Sequence, residues 1–256
     1  MAPFGDSIGG HSWRIIMKRR MFSLLVVGIL GVTSLGAEKT GFIEKNFAND
    51  DGTTSPYVVF VPASYDGSKE FPVILFLHGA GETKGGKKMP VEVGIGPAIK
   101  RQQKTFPFIV VIPQSEKRTW MAQSPDGKRA IAILDEVMKA YKTDRNRVYL
   151  TGLSMGGFGT WSMAAAYPDR WAAIVPICGR GDPTAAVKIK DLPCWCFHGD
   201  KDTAVNVKGS RDMIEAIKKS GGSPKYNEYA DVGHNSWDKA YAEKGLFPWL
   251  LEQKKK

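Results

Sequence analysis

The stretch RVYLTGLSMGGFGTW, residues 147–161, decides how this chain is read. Arg147–Thr151 is a run of strand length, rich in β-branched and aromatic side chains. Met155–Ala166 is small and apolar with no proline inside, and Pro168 lies just past its end, the pattern of a helix with a stop. Between strand and helix stands Gly152-Leu153-Ser154-Met155-Gly156. In a chain with 28 glycines such a string carries little by itself. Its place between a strand and a helix raises it, because a tight strand-to-helix turn projects the serine hydroxyl at the tip of a sheet. The helix that follows offers free N–H groups and a positive dipole end to a developing anion.

Outward from this stretch, short apolar runs alternate with longer helical patterns. Tyr57–Val61, Val73–Leu77, Phe108–Ile112, Ala173–Ile177, Cys194–His198 and Lys225–Tyr229 read as strands. Arg129–Tyr141 (with Ile131, Leu134, Val137, Met138 and Tyr141 at helical spacing), Val207–Lys219 and Gly245–Gln253 read as helices. Strands apolar on both faces, alternating with helices, predict an α/β fold with a mostly parallel central sheet covered on both sides. Ligands in such sheets bind at the carboxyl ends of the strands.

A serine hydroxyl needs a base, and the base needs a carboxylate to orient it. The chain has four histidines. His11 falls in the leader described below, and His78 and His198 end strands in turns with other apparent work. His234, in Val232-Gly233-His234-Asn235 after the last strand, is therefore the expected base. His198-Gly199-Asp200-Lys201-Asp202 follows a strand end, and Asp202, beyond the Gly199 turn, is the expected acid, with Asp200 holding the turn. The order Ser154, Asp202, His234 is Ser–acid–His. The oxyanion calls for two backbone N–H donors: Met155 after the serine, and Ala80 (Gly81 as second choice) in the small-residue turn after Val73–Leu77. Trp120, Trp161 and Trp237 are candidates to line the cleft and stack on an aromatic acyl group or a sugar, with core packing as the competing reading. Arg118 and Glu82 are polar candidates near the strand tips.

His78-Gly79-Ala80-Gly81-Glu82, Gly152–Trp161, His198-Gly199-Asp200-Lys201-Asp202 and Gly233-His234 together resemble the α/β-hydrolase superfamily, from about residue 40 onward. Within it they resemble a group of exported esterases related to feruloyl and acetylxylan esterases, dienelactone hydrolase and the catalytic domains of prolyl oligopeptidases. The resemblance implies a Ser154/Asp202/His234 triad acting through an acyl-enzyme, with no metal and no cofactor. Only residues 178–193 separate Ile177 from Cys194, too few for a cap domain, so an open cleft suited to bulky or polymeric esters is expected. The expected activity is that of a serine carboxylesterase on a small-molecule or polysaccharide ester, an acyl or feruloyl group included. A peptidase on the same triad, a polyester depolymerase and a non-catalytic binding protein are the alternatives.

Lys18-Arg19-Arg20, the apolar run Met21–Leu30 and the small residues Ser34, Gly36 and Ala37 have the layout of a secretory signal peptide, with cleavage after Gly36 or Ala37. Met17 is the expected initiator. The expected organisation is a leader, residues 1–36, and one catalytic domain, residues 37–256, exported to the periplasm or outside the cell with no lasting membrane insertion. The leader carries four basic residues and one acid, so its loss lowers the net charge of +10 by three, to +7. The remaining excess is scattered, without a basic stripe interleaved with aromatics, which argues against nucleic-acid binding. A hydrophobic fraction of 43% and a charged fraction of 24% argue against a disordered chain. Three cysteines, Cys178, Cys194 and Cys196, are too few for a disulfide scaffold. Buried free thiols are preferred over one disulfide involving Cys178.

Overall fold

The computed structural model describes residues 39–255. The leader with its cleavage site, the Met17 start and His11 lie outside the described residues. Eight strands form one sheet: β1 (Gly41–Ala48), β2 (Thr54–Val61), β3 (Phe71–Leu77), β4 (Ile109–Pro113), β5 (Thr143–Leu153), β6 (Ala173–Ile177), β7 (Trp195–Gly199) and β8 (Lys225–Tyr229). Their order is β1-β2-β4-β3-β5-β6-β7-β8. The β1–β2 and β2–β4 pairs are antiparallel and every later pair is parallel. This is the α/β-hydrolase arrangement, with six helices among the described residues: α1 (Ile95–Arg101), α2 (Pro125–Ala140), α3 (Met155–Ala166), α4 (Lys208–Lys219), α5 (Trp237–Ala240) and α6 (Leu246–Glu252).

The period of two along β3 sorts the core into two layers. Val73, Leu75 and Leu77 pack on one face with Ile133 and Leu134 of α2, Trp161 of α3 and Met213 of α4. Ile74 and Phe76 pack on the other with Ile95 and Ile99 of α1 and Leu246, Phe247 and Leu250 of α6. Every β3 residue is buried, so the strand reads as one continuous apolar run. Burying side chains of this size removes roughly 1.5–3 kcal/mol each of unfavourable apolar hydration, and the two layers fix the strand tips from both sides.

Three elements were not expected from the sequence, among them α5, a single turn of four residues. Strand β1 was not expected, because its alternating burial and polar residues give it a weak apolar signal at the sheet edge. Helix α1 was not expected because it is short and its core, Ile95-Gly96-Pro97-Ala98, has glycine and proline where a helix pattern wants strong formers. Between β6 and β7 the described residues hold only the short turn Pro183–Lys188 and no cap domain.

Candidate active site

Ser154 sits between β5 and α3 with φ +52 and ψ −118, a left-handed conformation that L side chains seldom adopt. The turn can close tightly because glycine stands two residues away on either side. A Cβ on Gly152 would lie 2.4 Å from Gly156 O, and one on Gly156 would lie 1.9 Å from Leu77 O. The glycines thus let the elbow press against the end of β3. The Ser154 N–H is held by Ile177 O at 3.0 Å and by Cys178 Sγ at 3.3 Å. Backbone contacts from β6 therefore aim the hydroxyl outward.

His234 Nε2 lies 2.9 Å from Ser154 Oγ, and His234 Nδ1 lies 2.7 Å from Asp202 Oδ2. The ring donates from Nδ1 to the carboxylate and accepts from the serine hydroxyl at Nε2. The sequence-predicted serine, acid and histidine are thus within hydrogen-bond reach in the expected order. The loops that bring them together are tied by backbone bonds. Asp200 N–H donates to Tyr229 O at 3.1 Å and Lys201 N–H to Val232 O at 3.0 Å. A Cβ on Gly199 would lie 2.2 Å from Val232 O, so only glycine permits this approach. Among the described residues one oxygen of the Asp200 side chain is buried without a hydrogen-bond partner. Its backbone, rather than its carboxylate, holds the turn.

The Asp202 side chain is fully buried. Its Oδ1 accepts from the Ala204 and Val205 N–H groups at 2.9 and 2.8 Å. Burial alone would push the Asp202 carboxyl up, but the His234 ring and the two backbone donors outweigh it and hold it below the ordinary aspartate value. It stays ionised opposite the histidine.

A second histidine also reaches this carboxylate, and sequence reasoning missed it. His198 Nε2 lies 3.1 Å from Asp202 Oδ2 and 2.9 Å from Val205 O. Its Nδ1 lies 2.7 Å from Ser210 Oγ, whose hydroxyl is shared with Gly179 O at 3.1 Å. Burial lowers the His198 pKa, which keeps the ring neutral. A neutral ring with carbonyl and carboxylate acceptors at Nε2 carries its proton there and accepts from Ser210 at Nδ1. The available signal was its spacing four residues ahead of Asp202 around a glycine turn.

His78 does different work. Its Nδ1–H donates to Gly79 O at 2.6 Å and its Nε2 accepts the Ser115 N–H at 3.0 Å. Burial pushes its pKa down to about 4. It ties the β3 turn to the loop at 115–119. That loop is also gathered by the buried Asp126 carboxylate, which accepts from Ser115 Oγ at 2.5 Å and from the N–H groups of Glu116 and Lys117 at 2.9 and 2.7 Å, with Arg129 beside it.

Met155 and Ala80 supply N–H groups that donate to no acceptor among the described residues. A Cβ on Gly79 would lie 3.7 Å from Ser154 Cβ, so the β3 turn reaches the serine. Glu82, in the same turn, is buried, and burial raises its carboxyl pKa.

Trp120 and Trp161 present no open stacking faces, whereas Trp237 is half-buried. Trp120 is 1% and Trp161 2% exposed, both parts of the core layer above α3. Trp120 Nε1 donates to His78 O at 2.9 Å, anchoring the 115–119 loop. The Trp237 and His234 rings meet at right angles, centroids 5.3 Å apart, which braces the base. The hollow of about 340 Å³ at Ser154 is bordered by Arg118, Thr119, Met121, Met155 and Phe158 together with the largely buried Trp120. Of these, Arg118, Trp120 and Met155 were singled out from sequence.

Cys178 Sγ, an Asp202 carboxylate oxygen and a His234 ring nitrogen lie within 4.8 Å of one another. This set does not fit a metal ion. The Cys178 thiol is buried and pushed up to about 12, so it keeps its proton, and its sulfur accepts from Ser154. Asp202 Oδ2 is already taken by two imidazole rings. Cys178, Cys194 and Cys196 are all buried free thiols.

Residues 116–243, half of the chain, match the Phospholipase/Carboxylesterase family profile, and residues 59–170 match the BD-FAE profile. The chain belongs to the phospholipase/carboxylesterase family. It is 27% identical over 145 residues to a bifunctional acetylxylan esterase/xylanase of Neocallimastix patriciarum, covering 56% of this chain and 21% of that protein. It is 22% identical over 236 residues to the "probable feruloyl esterase C" of Aspergillus terreus, covering 86% and 78%. Among solved structures, a thermostable esterase superposes with a TM-score of 0.76 at 32% identity, covering 83% of this chain and 63% of that one. The chain thus spans about a fifth of the Neocallimastix protein and just under two thirds of the thermostable esterase.

Proposed function

We propose that this chain is an exported serine carboxylesterase whose single catalytic domain, residues 37–256, follows a cleaved leader at residues 1–36. The continuous hydrogen-bond path from Ser154 through His234 to Asp202 carries this reading, set within a family whose relatives include acetylxylan and feruloyl esterases. His234 takes the Ser154 proton as the oxygen attacks the ester carbonyl. The N–H groups of Met155 and Ala80 hold the tetrahedral oxyanion. His234 returns the proton to the leaving alcohol, and water activated by the same ring then hydrolyses the acyl-enzyme. Asp202 stays ionised throughout and keeps His234 in the Nδ1–H tautomer. Gly152 and Gly156 keep the elbow tight, and Cys178 and Ile177 keep the serine aimed.

The shallow hollow at Ser154 and the absence of a cap between β6 and β7 favour acyl esters of a bulky alcohol such as a polysaccharide. Among the described residues no helix is long and apolar enough to cross a membrane. Hydrolysis of p-nitrophenyl acetate, butyrate and octanoate, measured beside Ser154→Ala, tests the reading. Activity that falls with acyl length and drops by at least ~10³-fold in the variant is expected. Serine-independent turnover, or faster turnover of peptide anilides than of matched esters, would sink it.

A further inference from the structure

Helix α3 starts at the candidate nucleophile, and its outward face continues from there. Ser154, Phe158, Ser162 and Ala165 recur at helical spacing and share that face. Three hollows follow it. The first, at Ser154, is bordered by Met121 and Phe158. The second, of about 480 Å³, shares Met121 and Phe158 and adds Ser162, Ala165 and Arg180. The third, of about 770 Å³, shares Phe158 and Arg180 and runs on to Asn206 and Lys208. The three hollows adjoin along α3 with Phe158 as their common lining residue and form an open trough in outline, with Met121 half exposed at 51% beside two of them.

Two arginines border these hollows, Arg180 with a packed side chain and Arg118 with a constrained backbone. The Arg180 guanidinium lies 5.7 Å from the Phe158 ring centroid. Its stem is packed against α4, where a Cβ on Gly209 would lie 2.4 Å from Arg180 Cβ. Arg118 has φ +54 and stands in the loop that Asp126 and His78 tie down. Strain of that kind persists only where surrounding contacts over-determine it. Neither arginine makes an ion pair among the described residues, although both are exposed. The nearby carboxylates are engaged elsewhere. Asp212 pairs with Lys208 at 2.6 Å, and Asp182 accepts from Thr184 N–H and Oγ1–H at 2.9 and 2.7 Å.

An aromatic ring with one unpaired guanidinium beside it and a second arginine on the same hollow fits a sugar ring bearing a carboxylate, whose C–H face stacks on the aromatic. Guanidinium matches carboxylate with paired N–H donors, and it stays charged at every working pH. We propose that the trough along α3 binds an extended uronate-bearing glycan, with Phe158 as its stacking platform and Arg180 and Arg118 as its carboxylate partners. The role of this trough as a substrate site rests on the esterase reading, with the scissile ester seated at Ser154 and the chain of sugars running toward Lys208. Arg180 then selects acidic over neutral polysaccharide esters.

Titration calorimetry of the full chain with de-esterified oligogalacturonate and with a neutral xylo-oligosaccharide of equal length tests this. The expected result is tighter binding of the uronate chain, a preference that shrinks as salt is raised. Arg180→Gln and Arg118→Gln should each cut the uronate-to-neutral ratio by roughly threefold to fivefold, the size of an exposed ion pair. Because both ligands are titrated into one preparation, partial unfolding scales both signals and leaves the ratio intact. Equal binding of the two chains, or a ratio that ignores salt and Arg180→Gln, would overturn the proposal. Hydrolysis of p-nitrophenyl acetate by the same preparation separates the two readings. Ester hydrolysis without uronate preference sinks the glycan site alone. Uronate preference without ester hydrolysis upholds the site and sinks the esterase.

Discussion

His198 shows how much of this site hangs on single hydrogen bonds. Its Nε2–H is one of two imidazole donors on Asp202 Oδ2, and it is the one that does not face Ser154. It is a positioning residue: it acts on the serine only through Asp202 and His234. Replacing it with leucine leaves the carboxylate with one donor fewer and strengthens its hold on a protonated His234. The acidic limb of kcat/KM should then move to higher pH, and kcat/KM near neutrality should fall about tenfold, the value of one hydrogen bond to a charged group. His198→Gln, which keeps an N–H at a similar reach, should restore most of both. A profile that keeps its position in the leucine variant would reduce His198 to packing. Asp202 and His234 were legible in sequence because a strand end, a glycine turn and a short motif mark them locally. Cys178 was not, since its contact to Ser154 depends on how β5 and β6 lie side by side, and His198 was passed over because a strand-end histidine four residues before the acid carries no motif of its own.

At the scale of elements, helix α3 and strands β6 and β8 have the bounds their sequences predict, because each is closed by a proline, a glycine or a change of periodicity. Strand β5 runs four residues earlier and two later than Arg147–Thr151. Its polar start, Thr143-Asp144-Arg145-Asn146, is half exposed, and its hydrogen bonds rather than its side chains make it a strand. Helix α2 begins at Pro125, capped by Ser124, whose Oγ accepts the Gly127 N–H at 3.1 Å. The apolar pattern begins only at Ala130, so the first turn was invisible to periodicity. That turn matters to function, because Asp126 within it gathers the 115–119 loop and so places Arg118 and Trp120. The tryptophans mislead for a related reason. Trp120 and Trp161 are close to Ser154 along the fold, but a parallel sheet with helices on both faces turns large apolar side chains inward.

For the molecule as a whole, acid sensitivity follows from burial. His78 titrates near 4 when folded because its buried ring cannot be charged cheaply, whereas an unfolded histidine titrates near 6.5. Between those values the unfolded chain binds a proton that the folded chain does not, so stability rises with pH across this window. It is lost progressively as pH falls from about 6.5 to about 4, by up to roughly 3 kcal/mol for this one group. The folded Asp202 carboxyl is held below its unfolded value of 3.8, so its contribution is present above that value and is lost further down. Urea unfolding at pH 7 and pH 4 should show a clear drop in midpoint, and His78→Gln should flatten that difference. An unchanged midpoint in the native chain would contradict the neutral, buried His78.

The central claim is that Ser154 is acylated during turnover. Quenching the reaction with p-nitrophenyl butyrate in acid and mapping the acyl group by peptide mass spectrometry tests it without reference to the natural substrate. The account predicts a butyryl group on the peptide containing Ser154, and none in Ser154→Ala. A butyryl group on any other residue, or undiminished turnover by Ser154→Ala, would contradict it.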